Sequence, residues 1–291
     1  MSGIKFPTSD EIKGETLNHQ PGREHNMNLS PIFQDESYEG KNRLEGKTAI
    51  ITGGDSGIGR AVAVAYAKEG CNVAVVYKEE KKDAKEVLEH IEKSGSKGML
   101  IMGDISDAKF CKRCVKKVID KFNRLDILIN NAAEQHPQKS ILDISEKQLE
   151  QTFKTNIFSM FYMVKAALPY LKEGSSIINT SSITAYAGNP TLLDYSATKG
   201  AISSFTRSLA INLSKKKIRV NQVAPGPVWT PLIEASYEKE HVENFGSGNP
   251  FGRPAQPIEL AEAYVFLAWE QASSFITGQT IHINGGTIIN G

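Results

Sequence analysis

From Leu44 onward the chain alternates short, continuously apolar runs with segments of helical period, and this alternation constrains the fold more than any other feature. The apolar runs are 47–53 (KTAIITG), 72–77 (NVAVVY), 99–103, 125–130 (LDILIN), 176–180 (SIINT), 219–224 (RVNQVA) and 279–283 (QTIHI). Between them, 60–69, 81–94, 108–122, 145–171, 195–214 and 257–269 read as helices. Strands that are apolar on both faces and separated by helices belong to parallel sheets covered on both sides. The expected fold is α/β, a doubly wound and mostly parallel seven-stranded sheet, in one domain over residues 45–291.

Residues 1–44 lack either periodicity, are polar and contain Pro7, Pro21 and Pro31. They read as an extension. A disordered tail and an arm packed on a neighbouring subunit through Ile32, Phe33 and Tyr38 both fit.

Several function classes are excluded. The formal net charge is +1, so no global field draws nucleic acid or an anionic membrane. No apolar run is long enough to span a bilayer, and residues 1–10 lack the apolar stretch of a signal peptide, so a cytoplasmic protein is expected. The three cysteines, Cys71, Cys111 and Cys114, are too few and too odd in number for a disulfide framework. Cys111 and Cys114 fall within the 108–122 helix, where a structural role is expected. The six histidines are scattered, and no metal site is expected.

Two motifs carry chemistry. Gly53, Asp55, Ser56, Gly57, Ile58 and Gly59 lie in a glycine-rich turn between the first strand and first helix, where a backbone can approach a pyrophosphate at a helix N-terminus. The frame is then a dinucleotide-binding one of the Rossmann type. Tyr195 and Lys199, four apart on a helix, share a face. A cation near a phenol lowers its pKa from about 10 and makes it a usable general acid/base.

With the spacing Gly53-x-x-x-Gly57-x-Gly59 and Tyr195-x-x-x-Lys199, the chain resembles the short-chain dehydrogenases/reductases from about Leu44 to its C-terminus, and within them the glucose/ribitol dehydrogenase-like subgroup. Asn130-Asn131-Ala132-Ala133 is similar to the family's Asn-Asn-Ala-Gly, with Ala133 in place of glycine. The resemblance implies catalytic roles for Asn156, Ser182, Tyr195 and Lys199. It implies cofactor contacts at Asp104 and Ile105, at Asn131, Ala132 and Ala133, and at Pro225, Gly226, Val228 and Thr230. The cofactor is expected to be NAD(H) or NADP(H). An acid at the end of the second strand would repel a 2′-phosphate; Tyr77 and Lys78 stand there instead, and both cofactors are expected to bind.

The implied reaction is hydride exchange between the nicotinamide and a secondary alcohol or ketone, a sugar or polyol included. Tyr195 would move the proton, Ser182 would bind the substrate oxygen, Lys199 would lower the phenol pKa and hold the nicotinamide ribose, and Asn156 would position a water. Glu134, Gln135 and His136 either line the pocket or face solvent. A mobile lid is expected over 229–249, and a homotetramer is implied through the family's use of 279–286. Competing readings are a non-catalytic NAD(P)-binding regulator, a Rossmann-like methyltransferase, and a reductase of carrier-bound 3-oxoacyl thioesters.

Overall fold

The computed structural model describes residues 4–17 and 19–289. Residues 1–3, Asn18, Asn290 and Gly291, which the expected extension and domain include, lie outside the described residues. Seven parallel strands form one sheet: β1 (Thr48–Thr52), β2 (Asn72–Tyr77), β3 (Gly98–Met102), β4 (Ile127–Asn130), β5 (Ser176–Thr180), β6 (Arg219–Pro225) and β7 (Thr280–Ile283). Their order is β3-β2-β1-β4-β5-β6-β7. The chain reverses its direction of build between β1 and β4, the place where such sheets open a crevice beyond their carboxyl ends. In register, Thr52 pairs with Val76 and Asn130 with Asn179, so the ends of adjacent strands fall level and deliver their following loops to one edge.

Helices cover both faces. α1 (Gly57–Lys68) and α2 (Lys81–Lys93) lie on one side, and α3 (Ala108–Phe122) lies on the other. Val62, Tyr66, Val87 and Ile91 pack with Ile51 and Val75 in one core, while Val115 and Val118 pack with Ile50 and Leu128 in the second. β1 is buried at every residue, as a central parallel strand must be. α3 begins at Asp107, whose carboxylate accepts from the Lys109 amide at 2.8 Å, and ends at Asn123 in the left-handed region. Cys111 and Cys114 are buried in it, and burial pushes both thiols up to about 12, which leaves them inert at neutral pH.

The single long helix expected over 145–171 is interrupted. It consists of α4 (Glu146–Phe153), a π turn (Lys154–Phe158) and α5 (Ser159–Ala167). A π turn inserts one residue per turn and frees a backbone group, and such turns concentrate at functional positions. The next helices are the short α6 (Thr184–Ala187) and the long α7 (Leu193–Leu213). The segment expected as a mobile lid contains two short helices, α8 (Pro231–Glu234) and α9 (Lys239–Glu243), before α10 (Ile258–Ala268) and the single turn α11 (Glu270–Ser273).

The described part of the extension is an ordered arm and not a free tail. It packs on its own chain. Ile12 and Met27 form a buried cluster with Trp229, Ile233 and Val242, and the Trp229 indole donates to Leu29 O at 2.8 Å. Lack of periodicity fits such an arm, because each side chain answers to a different surface of the folded domain.

Candidate active site

A cleft of about 470 Å³ opens over the carboxyl edge of the sheet. Of the residues expected to bind cofactor, all but Gly59 line it. Gly53 has φ +60°, and a Cβ there would stand 3.0 Å from Ala132 Cα, so the turn after β1 needs a glycine. At Gly59 a Cβ would fall 1.8 Å from Gly53 O, so this glycine lets α1 pack onto the turn. The free helix N-terminus expected here is partly occupied. The Gly57 amide donates to the Glu24 carboxylate of the arm at 2.7 Å, and the Arg60 guanidinium donates to the same carboxylate at 2.8 Å. That amide is therefore committed within the protein. Asp55 is buried beside the turn, and burial, with Glu80 nearby, pushes its carboxyl up to about 8.

At the far end of the cleft, Tyr77 closes β2 and Lys78 follows. The Lys78 ammonium stands 3.3 Å from Asp104, both side chains half-exposed. Burial raises the Asp104 carboxyl, but hydrogen bonds from Ser106 and the Lys78 charge outweigh it and hold the group below its usual range. Ile105 adds an apolar wall. At the near end, the Asn131 side chain donates to Thr52 O and Gly53 O, both at 3.2 Å, and its amide donates to the Thr52 hydroxyl. These bonds stitch the end of β4 to the end of β1 and present Ala132 and Ala133 to the cleft. Pro225 at the end of β6, with Gly226, Val228 and Thr230 after it, forms the next wall.

Ser182, Tyr195 and Lys199 converge on the same cleft. α7 carries Tyr195 and Lys199 one turn apart, with the Lys199 ammonium 5.2 Å from the Tyr195 ring centroid. Lys199 is buried and donates to Thr180 O at 2.9 Å. Burial brings its pKa down to about 7. The Tyr195 phenol, expected below its ordinary value, lies above it: burial pushes it up, and a hydrogen bond with Ser182 opposes this only in part. The reason is that burial penalises both charged forms at once.

Asn156 stands behind the cleft wall, at the π turn. Its Oδ1 accepts from the Glu134 amide and its Nδ2 donates to Glu134 O, both at 2.9 Å, with Thr198 Oγ1 at 3.2 Å. The side chain expected to hold a water therefore also fixes the loop after β4. That loop sets Glu134 and Gln135 into the pocket, both buried. His136 is half-buried, 3.6 Å from the Glu134 carboxylate.

The residues fit a dinucleotide. A lysine ammonium carries three donors, and Lys199 has one acceptor among the described residues, so its remaining donors face the cleft. Gly53 permits close backbone approach, and the walls mix apolar side chains with a few polar ones, as ligand clefts do.

Sequence reasoning missed Gln20, Pro21 and Gly22 of the arm, which also line the cleft, and Thr180, whose carbonyl holds Lys199. No periodicity or motif marks them. It also missed that His19, Glu79 and Glu80 bring possible ligand atoms within 4.8 Å of one another, because His19 is far in sequence from the two glutamates.

With this geometry in view, comparisons with known proteins agree. The profile of the family described as Enoyl-(Acyl carrier protein) reductase matches residues 53–287. NADPH-dependent aldehyde reductase 1, chloroplastic, of Arabidopsis thaliana is 53% identical over 277 residues, covering 93% of this chain and 96% of that protein. Glucose and ribitol dehydrogenase of Daucus carota is 49% identical over 296 residues, covering 100% and 99%. Among solved structures, a short chain dehydrogenase from Burkholderia cenocepacia J2315 in complex with NADP superposes with a TM-score of 0.79 at 30% identity, covering 84% of this chain and 98% of that one. A 3-ketoacyl-(acyl-carrier-protein) reductase from Brucella melitensis complexed with NADH gives 0.77 at 33% identity, covering 84% and 98%. A parallel seven-stranded sheet, a glycine turn and a Tyr-x-x-x-Lys helix meeting at one cleft, together with these matches, make the chain a member of the short-chain dehydrogenase/reductase family of oxidoreductases.

Proposed function

We propose that the protein exchanges a hydride between NAD(H) or NADP(H) and a secondary alcohol or carbonyl compound, with hydroxylated substrates of the sugar or polyol kind preferred. The observation that carries this reading is the convergence of Tyr195, Ser182 and buried Lys199 on one cleft. When bound, the nicotinamide supplies or accepts the hydride. Tyr195 moves the proton to or from the substrate oxygen. Ser182 donates to that oxygen and shares the charge developing on it. Lys199 binds ribose hydroxyls; further acceptors favour its ammonium form, and that cation in turn favours the phenolate. Asn156 fixes the pocket loop through Glu134, and any water relaying a proton from Lys199 would be held by backbone freed at the π turn.

Preference for hydroxylated substrates is supported by two buried polar atoms that lack hydrogen-bond partners among the described residues, Gln135 Nε2 and Glu134 Oε1, the latter with only the His136 ring at 3.6 Å. Leaving such groups unpaired costs about 1–3 kcal/mol each, and substrate hydroxyls would satisfy them. Exposed Phe158 and Phe161 at the π turn and α5 support association of copies, which we read as a homotetramer acting in the cytoplasm.

The test is a screen of polyols, sugars, aldehydes, ketones and an acyl thioester with both cofactors, followed at the absorbance of the reduced nicotinamide. Turnover of hydroxylated alcohols or carbonyls is expected. Cofactor binding with no hydride exchange across the panel would overturn the reading in favour of a regulatory nucleotide-binding protein.

A further inference from the structure

The arm does more than cover the domain. At Gln20 it reaches the two loops that face each other across the substrate end of the cleft. The Gln20 side-chain amide donates to Gln135 O at 2.8 Å, on the loop after β4, and to Ala235 O at 3.3 Å, just after α8. In return the Gln135 amide donates to Gln20 Oε1 at 3.4 Å. Two residues later the arm presses on the same segment: a Cβ at Gly22 would stand 2.4 Å from Pro231 O. Two residues before position 19, the Leu17 amide donates to Glu234 O at 2.8 Å.

We infer that the arm is a working part of the substrate site and that Gln20 is a positioning residue, tying the β4 loop to the α8 segment so that a small substrate is held between them. This rests on the function proposed above. The physical case is that the α8 segment is a loop with little regular structure of its own. Its position relies on contacts from outside it, and the arm supplies them through a buried apolar cluster and these hydrogen bonds. Gln20 is the one arm side chain that bonds both loops among the described residues, and it does so with its side chain lining the cleft. A residue with only a structural role would not need to stand there.

The test is Gln20→Met, which keeps the volume and removes the donor. It is read in two ways on the full chain. Amide hydrogen exchange of the ligand-free protein should quicken over 231–237 and around Gln135, while the sheet is unchanged. With glyceraldehyde and NADPH as the probe pair, or whichever pair the screen shows to turn over, KM for the organic substrate should rise about tenfold with kcat within about twofold, the signature of lost uniform binding. Gly22→Ala, which pushes the arm off Pro231 without removing the donor, should shift KM in the same direction and serves if Gln20→Met fails to fold. An unchanged KM, with or without faster exchange, would reduce the arm to a structural cover and overturn the inference. Failure of the function itself is separate: wild-type protein would then turn over nothing, and if exchange over 231–237 also stays slow in the variant, the tie falls with it.

Discussion

The Glu24 carboxylate and the Gly57 amide, 33 residues apart in sequence, meet at 2.7 Å and place a charge of the arm at the start of α1. A carboxylate is favoured at a helix N-terminus, and here Arg60, itself buried, pairs with it. The backbone of the arm is held in return, because the Asp83 carboxylate accepts from the Glu24 amide at 2.9 Å and from the His25 amide at 3.1 Å.

Glu24→Ala is therefore expected to cost about 3 kcal/mol, since removing one partner of a buried pair leaves Arg60 only the longer, half-exposed contact with Glu86 at 3.4 Å. Urea unfolding checks the stability, and limited proteolysis of the arm checks its release. A change within about 0.5 kcal/mol would show that the pair does not hold the arm.

Asp55 gives a pH dependence of known sign. Its folded carboxyl lies at about 8 against a usual 3.8, because burial disfavours its charge. Between those values the folded state keeps a proton that the unfolded state has lost. Stability then falls as pH rises through that window. Burial raises Glu24 and Glu234 as well, so the test compares two proteins. Asp55→Asn mimics the protonated form, and its melting temperature should gain on wild type steadily from pH 5 to 8. Parallel curves would contradict the shift.

Lys78 stands at the end of β2 with Asp104 as its partner. In Lys78→Glu a carboxylate replaces the cation where a 2′-phosphate would lie. KM for NADPH should rise at least about tenfold, a loss of ~1.4 kcal/mol or more, while KM for NADH changes little. Equal changes for both cofactors would place the phosphate elsewhere.

The fold was legible because each central strand is a continuous apolar run with a helix beside it, and β2 and β5 fall on the expected residues. The shared cleft of Gly53, Tyr195 and Lys199 was legible because their spacing follows strand and helix geometry, and Ser182 joined it through the family resemblance. What stayed hidden depends on contacts remote in sequence. The π turn carries Asn156, whose side chain bonds Glu134, and the 145–171 apolar pattern does not reveal the extra residue. The arm has no period of its own, so Glu24 and Gln20 look like any polar residues until they meet Gly57 and Gln135. The upward shift of the Tyr195 phenol was missed because the Tyr-x-x-x-Lys spacing reports the nearby cation and is silent on burial.

In the proposed reaction the Tyr195 hydroxyl carries the proton, and the cofactor binds independently of it. Tyr195→Phe removes that oxygen and little else. In the pair found by the screen, kcat should drop by about three orders of magnitude, while the dissociation constant for the reduced cofactor, followed by its fluorescence, stays within about threefold of wild type. A variant that turns over at near-wild-type rates would contradict the account.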